Sequence, residues 1–248
     1  DAVMLVCPSD HHIGDHGAFI AAAHAAAALA REGWLVSFGI AATAPETGYG
    51  YLRQGESIGE SGYRVARFVE KPDLERAKGF LADGGYAWNG GIFAFRAGIF
   101  MAELAAHRPA IAEAARAAVA GGAADGRRFH PSEAEFAAIS GESVDYAVME
   151  NTTRAAMVPA AMDWSDIGNW QALHEARARG GSSDGDGNSV IGRAELVDCR
   201  NVLVESDGPR VSVIGLEGVI IVVDGDEVLV TTADGAQKVG KLAGAASQ

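Results

Sequence analysis

From its first residues to about residue 179 the sequence alternates apolar, strand-like runs with helical stretches, a pattern satisfied by a sheet flanked by helices. Residues 2–7 (AVMLVC) read as a continuous buried strand of a parallel sheet, with Cys7 as a small core residue. Residues 18–32 read as a helix that Gly33 can end, and residues 34–40 as the next strand. A Gly/Pro/Thr-rich loop covers 41–50. The strand at 63–69 is stopped by Glu70-Lys71-Pro72, after which Asp73 is a suitable N-cap for a helix to about Leu81. Residues 91–95 read as a strand, 97–107 and 109–119 as helices, and 121–128 as a loop. Short helices at 132–139 and 144–150, a strand at 155–159 and a helix at 169–179 follow. The expectation is an α/β fold with a mostly parallel sheet and helices on both faces.

Residues 180–187 (GGSSDGDG) are small and polar throughout and read as a linker. Beyond them, six β-rich runs at 189–191, 194–197, 202–204, 211–214, 219–223 and 227–231 alternate with Gly, Asp and Asn. That is the pattern of a small all-β segment of stacked strands or β-helix coils, although no accurate repeat period is visible. The expected division is therefore 1–179 and 188–248. Because the sequence opens directly on a strand-like run, with no initiator Met or signal peptide, the chain is expected to be an internal or C-terminal piece of something longer.

Charge narrows the partners. With 33 acidic and 20 basic residues the formal charge is -13, which repels nucleic acid and acidic lipid, so neither is an expected partner. No apolar run approaches the ~20 residues that span a bilayer. Two cysteines, Cys7 and Cys199, make no disulfide framework, which suits the reducing cytoplasm. If a phosphate is the ligand, a cation or placed lysines must offset the acidic surface.

Several short stretches carry groups suited to such a ligand. Pro8-Ser9-Asp10-His11-His12 follows the first strand, where α/β sheets place their ligands; Asp10 there is either a metal ligand or a turn residue. The histidines His11, His12 and His16 offer a transition-metal alternative, but adjacent histidines often face different sides. In Pro45-Glu46-Thr47-Gly48-Tyr49-Gly50, glycine allows close backbone approach and Tyr49 can cover a sugar or a ring, unless the run is a plain turn. Glu70 and Lys71 either form a solvated pair or divide between sugar hydroxyls and a phosphate. Trp88-Asn89-Gly90-Gly91 adds an amide beside two glycines, suited to hydroxyl recognition or to a turn. Asp166, in Trp164-Ser165-Asp166, either caps the following helix or supplies a second carboxylate for Mg²⁺, an ion that uses few protein ligands and keeps several waters.

Taken in order, PSDH (8–11), PETGYGY (45–51), RFVEKP (67–72), WNGGIF (88–93), VDYAVME (144–150) and WSDIGNW (164–170) resemble the bacterial mannose-1-phosphate guanylyltransferases, or GDP-mannose pyrophosphorylases. The resemblance is close over about residues 1–175 and looser beyond. It implies a Rossmann-like nucleotidyltransferase sheet, a small all-β, β-helix-like C-terminal segment and a homodimer. It implies transfer of GMP from GTP to mannose 1-phosphate, giving GDP-mannose and pyrophosphate. By motif, Asp10 and Asp166 match Mg²⁺ positions and are catalytic together with Lys71, which lies beside the sugar phosphate. Gly48, Tyr49, Glu70, Asn89, Gly90 and Asp145 match the sugar-binding side, with Tyr146 near it. The family's Gly-rich nucleotide loop belongs well upstream of Asp10, so the chain by itself is expected to be inactive. Cys7 and His12 stand where the family has aliphatic residues, which implies local packing changes. Two alternatives stay open: another sugar-1-phosphate nucleotidyltransferase, and a non-catalytic sugar-nucleotide-binding subunit.

Overall fold

The computed structural model describes residues 2–242; residue 1 and residues 243–248, which the expected division includes, lie outside the described residues. The described residues form two compact units, one of residues 2–9 with 15–162, the other of 10–14 with 163–242.

The first unit is built on a six-stranded sheet of β1 (Val3–Val6), β3 (Leu35–Ala41), β4 (Tyr51–Ile58), β5 (Gly62–Val69), β6 (Tyr86–Arg96) and β9 (Ala155–Pro159), in the order β1-β6-β3-β9-β5-β4. The sheet is mixed rather than mostly parallel: among the described residues only β3 and β9 run parallel in it. Helical crossovers suggested parallel neighbours, but β4, β5 and β6 meet through antiparallel ladders instead. β4 was not expected, because beyond Leu52 its residues are mostly polar and exposed. β1 also differs from expectation. It pairs antiparallel with β6 at the sheet edge, and Met4, Leu5 and Val6 are exposed, as is Cys7. An unbroken apolar run specifies a strand without specifying how many neighbours it has.

Alternation along β3 sorts the two faces. Phe38 meets Phe19 of α1 (His16–Arg31), whose buried Ala22, Ala26, Leu29 and Ala30 recur at helical spacing. Asp15 caps α1 by accepting from the Ala18 N–H at 2.9 Å, and Gly33, at φ 94°, ends it. On the other face Leu35 joins Phe93, Phe95, Leu104 of α3 (Ala97–His107), Ala112 of α4 (Pro109–Ala120) and Val148 and Met149 of a π-helical turn, Asp145–Met149. α2 (Leu74–Asp83) begins at its Asp73 cap as expected. The 121–128 loop instead contains part of a small hairpin, β7 (Ala123–Asp125) and β8 (Arg128–His130), followed by α5 (Glu133–Ala137).

In the second unit a two-stranded ribbon, β2 (His12–Ile13) with β10 (Trp164–Ser165), precedes α6 (Trp170–Arg179). Strands β11 (Ser189–Ile191), β13 (Leu203–Ser206) and β15 (Val219–Asp224) stack in parallel, as do β12 (Ala194–Val197) and β14 (Val211–Ile214). β16 (Glu227–Thr232) returns antiparallel to β15, and a short helix α7 (Ala233–Ala236) follows. Ser189 pairs with Leu203 and Leu203 with Ile220, so successive coils differ in length and hide the period from the sequence. Val202, Val204, Val213, Ile221 and Cys199 fill the coil interior, while Asp198 and Asn201 turn its corners at φ 53°.

Candidate active site

Four of the resemblance-matched residues gather in the first unit. The WNGGI run lies inside β6, not in a turn. Ser37 pairs with Phe93 while Gly39 pairs with Asn89, so β6 bulges between them, with Gly91 at φ 67°. The bulge fixes Asn89, which is buried. Its Oδ1 accepts from Ser37 Oγ at 2.6 Å and from the Gly91 N–H at 3.2 Å, and its Nδ2 donates to Asp145 Oδ1 at 2.8 Å. The π-helical turn thus presents Asp145 at its first position.

Glu70 sits at the end of β5 with its side chain 7% exposed. Oε1 lies 3.2 Å from Lys71 Nζ, whereas Oε2 is buried and meets no hydrogen-bond donor among the described residues. Burial, and then the charge of Asp145, push the Glu70 carboxyl above its ordinary range; Lys71 opposes them. Burial likewise raises the Asp145 carboxyl, against the Asn89 hydrogen bond. Glu150 Oε1 accepts the Glu70 backbone N–H at 2.8 Å and anchors the strand end. Lys71 lies in the left-handed region at φ 43°, a conformation costing about 1–2 kcal/mol for a residue with a Cβ. Its side chain is 57% exposed, so the ammonium is accessible while its carboxylate neighbour is not.

The glycines divide by what surrounds them. A Cβ on Gly50 would come within 2.5 Å of Glu70 Oε2, and one on Gly48 would meet nothing within 4 Å. Gly90 faces β3, where a Cβ would stand 3.1 Å from the Phe38 carbonyl oxygen, so it permits close strand packing. Tyr49 sets its ring edge-on to Trp88 at 5.2 Å, and Tyr51 ties the loop by donating to the Glu46 carbonyl at 2.9 Å. Sequence alone does not assign Ser37, Gly50 or Glu150 to the site. Ser37 leaves a signal there, a polar residue inside an apolar strand, and Gly50 shares the glycine-bearing run of Gly48.

The two remaining residues lie in the second unit. Ile13 pairs with Trp164 and His12 with Ser165, so the ribbon brings the loops carrying Asp10 and Asp166 side by side. Asp10 lines a cleft of about 360 Å³ with His11, His12, Ile167 and Arg177 among others. Asp166 does not cap α6, since Asn169 accepts from the Ala172 N–H at 3.0 Å. Asp166 Oδ1 instead accepts from Gly168 N–H at 3.2 Å around Ile167, itself at φ 50°. The histidines have separate partners: Trp164 Nε1 donates to His11 Nδ1 at 3.1 Å, and His12 Nε2 lies 3.9 Å from Asp163.

A nucleotidyl transferase family profile matches residues 1–181. The chain belongs to the nucleotidyl transferase family. This nucleotidyl transferase chain also matches a MannoseP isomerase/GMP-like β-helix domain over residues 192–244, the stretch that holds the stacked coils. It is 45% identical over 245 residues to a mannose-1-phosphate guanylyltransferase of Escherichia coli, covering 97% of this chain and 51% of that protein. It is 45% identical over 243 residues to the xanthan biosynthesis protein XanB of Xanthomonas campestris pv. campestris, covering 98% and 50%. The chain thus spans about half the length of the curated relatives it matches. A crystal structure of mannose-1-phosphate geranyltransferase from Thermus thermophilus superposes with a TM-score of 0.82 at 36% identity, covering 96% of this chain and 68% of that one. The family drawn from the ordered motifs and the α/β nucleotidyltransferase fold with a β-helix-like C-terminal segment are both borne out. No helix among the described residues is long and apolar enough to cross a membrane.

Proposed function

We propose that the protein carrying this chain is a mannose-1-phosphate guanylyltransferase, and that the pocket around Glu70 holds the sugar phosphate. The observation that carries the reading is the buried Glu70 Oε2, which has no donor among the described residues and lies where Gly50 has no side chain. A buried carboxylate oxygen without a partner is costly, and a ligand hydroxyl is the group that would satisfy it. Asn89 supplies the complementary amide. Lys71, exposed beside Glu70, is suited to meet the phosphate as a point charge. The relative from Escherichia coli is named for the same activity.

In the reaction an oxygen of the mannose 1-phosphate phosphate attacks the α-phosphorus of GTP. The new P–O bond forms as the bond to the β-phosphate oxygen breaks and pyrophosphate leaves. This chain contributes orientation: Glu70, Asn89 and Asp145 fix the sugar, and Lys71 offsets charge on the attacking phosphate. Asp10 and Asp166 are the residues that would hold Mg²⁺, being hard oxygen donors on loops that the β2–β10 ribbon sets side by side. When bound, the ion neutralises phosphate charge. The same reading makes the protein a cytoplasmic homodimer that binds GTP.

Product formation by the full-length protein, with GTP, UTP and dTTP each offered against mannose 1-phosphate and glucose 1-phosphate, tests the assignment. GDP-mannose should dominate; preferred turnover of glucose 1-phosphate with UTP or dTTP would overturn it.

A further inference from the structure

Ser37 is fully buried in the middle of β3, between Val36 and Phe38. A hydroxyl in such surroundings is costly unless it is used. It donates to Asn89 Oδ1 at 2.6 Å, and the same oxygen accepts the Gly91 N–H at 3.2 Å, while Nδ2 donates to Asp145 Oδ1 at 2.8 Å. A backbone N–H can only donate, so Gly91 settles which end of the amide is the oxygen. Both approaches to the amide oxygen are then taken. One Nδ2 hydrogen is on Asp145, and the second is what the side chain has left to offer. Glu70 Oε2 nearby offers an acceptor. One fixed donor beside one fixed acceptor is the pattern that reads two neighbouring hydroxyls, the first through its oxygen and the second through its hydrogen.

We infer that Ser37 is a positioning residue for sugar specificity: by holding Asn89 Oδ1 it keeps Nδ2 turned out as a donor toward the ligand. Glu70 and Asn89 then dictate which of two neighbouring sugar hydroxyls donates and which accepts. This rests on the sugar-phosphate reading given above. Without the Ser37 hydroxyl, Asn89 keeps only the longer Gly91 bond on its oxygen side, and the amide can rotate away from the orientation the ligand needs.

Steady-state kinetics of the full-length protein separate this from a role in folding alone. Ser37→Ala should raise KM for mannose 1-phosphate about three- to tenfold, the worth of one neutral hydrogen bond, with kcat and the KM for GTP within about twofold of wild type. Ser37→Thr, which restores a hydroxyl, should recover most of the loss. An unchanged sugar-phosphate KM in Ser37→Ala, equal impairment of the Ala and Thr variants, or a joint shift of kcat and both KM values would overturn the inference. Should Ser37→Ala not fold, Ser37→Cys, with its weaker donor and similar volume, must give the same selective rise, and its absence overturns the inference equally. Glu70→Gln run alongside separates the two readings. If Glu70→Gln impairs sugar-phosphate use and Ser37→Ala does not, only the positioning role fails; if Glu70→Gln has no effect, the site itself is misassigned.

Discussion

Glu70 is a residue whose burial costs the fold stability that a binding site can use. Its carboxyl and that of Asp145 are both raised by burial, so the folded protein holds these protons more tightly than the unfolded chain does. Their contribution to stability therefore falls as pH rises from ordinary carboxylate values, about 4–4.5, through the raised folded values. Glu70→Gln removes one of the two charges. Thermal unfolding at pH 7 should accordingly find the variant at least as stable as wild type, with any advantage shrinking toward pH 4; a deficit that grows as pH rises would mean the Glu70 charge is fully compensated. A second contrast isolates space from chemistry. Gly50→Ala should push Glu70 aside and lower kcat/KM for the sugar phosphate about tenfold or more, by loss of its charged hydrogen bonds. Gly48→Ala should leave thermal stability unchanged, since a methyl there meets nothing. At this scale the sequence named Glu70, Lys71 and Asn89 by motif, but it could not tell Gly48 from Gly50. That distinction depends on a carboxylate oxygen folded back from another strand.

At the scale of elements, capping and periodicity were legible and pairing was not. α2 begins at the Asp73 cap expected from the sequence, whereas α6 is capped by Asn169 and not by Asp166, the cap the sequence suggested. Asn169→Ala should cost about 1 kcal/mol in denaturant unfolding, the usual worth of an N-cap. The glycine pair after Asn89 reads as a turn because the signal for a bulge and the signal for a turn are the same residue type. Only the partner strand decides, and here β3 places the bulge so that Asn89 faces Ser37 and Asp145. In the coils, buried Asn188 bonds to Asp184 Oδ2 and the Cys199 carbonyl through Nδ2 and accepts the Val202 N–H. Asn188→Ala strands the buried Cys199 carbonyl and Val202 N–H and should destabilise the second unit by about 2–4 kcal/mol, read as an earlier loss of its structure in urea. A change below about 0.5 kcal/mol would mean water replaces all three bonds.

For the whole molecule, the alternation of strands and helices and the later change to short β runs were enough to foresee an α/β body with a β-helix-like segment after it. The sheet's antiparallel ladders were not foreseeable, since β4 carries almost no apolar alternation and β1 reads as buried while lying at an edge. On the proposed reading, the sugar-phosphate residues lie in the first unit and the candidate Mg²⁺ carboxylates in the second. Asp166→Asn should then raise the Mg²⁺ concentration needed for half-maximal turnover in the full-length protein while leaving thermal unfolding close to wild type; unchanged Mg²⁺ dependence would remove Asp166 from that role. The role of Glu70 in holding the sugar phosphate is tested most directly by the kinetics of Glu70→Gln with mannose 1-phosphate and GTP varied separately. The expected result is a fall in kcat/KM for mannose 1-phosphate on the order of tenfold to a hundredfold, from charged hydrogen bonds worth roughly 1.5–3 kcal/mol, with GTP affinity unchanged. Wild-type use of mannose 1-phosphate, or a loss confined to GTP, would contradict it.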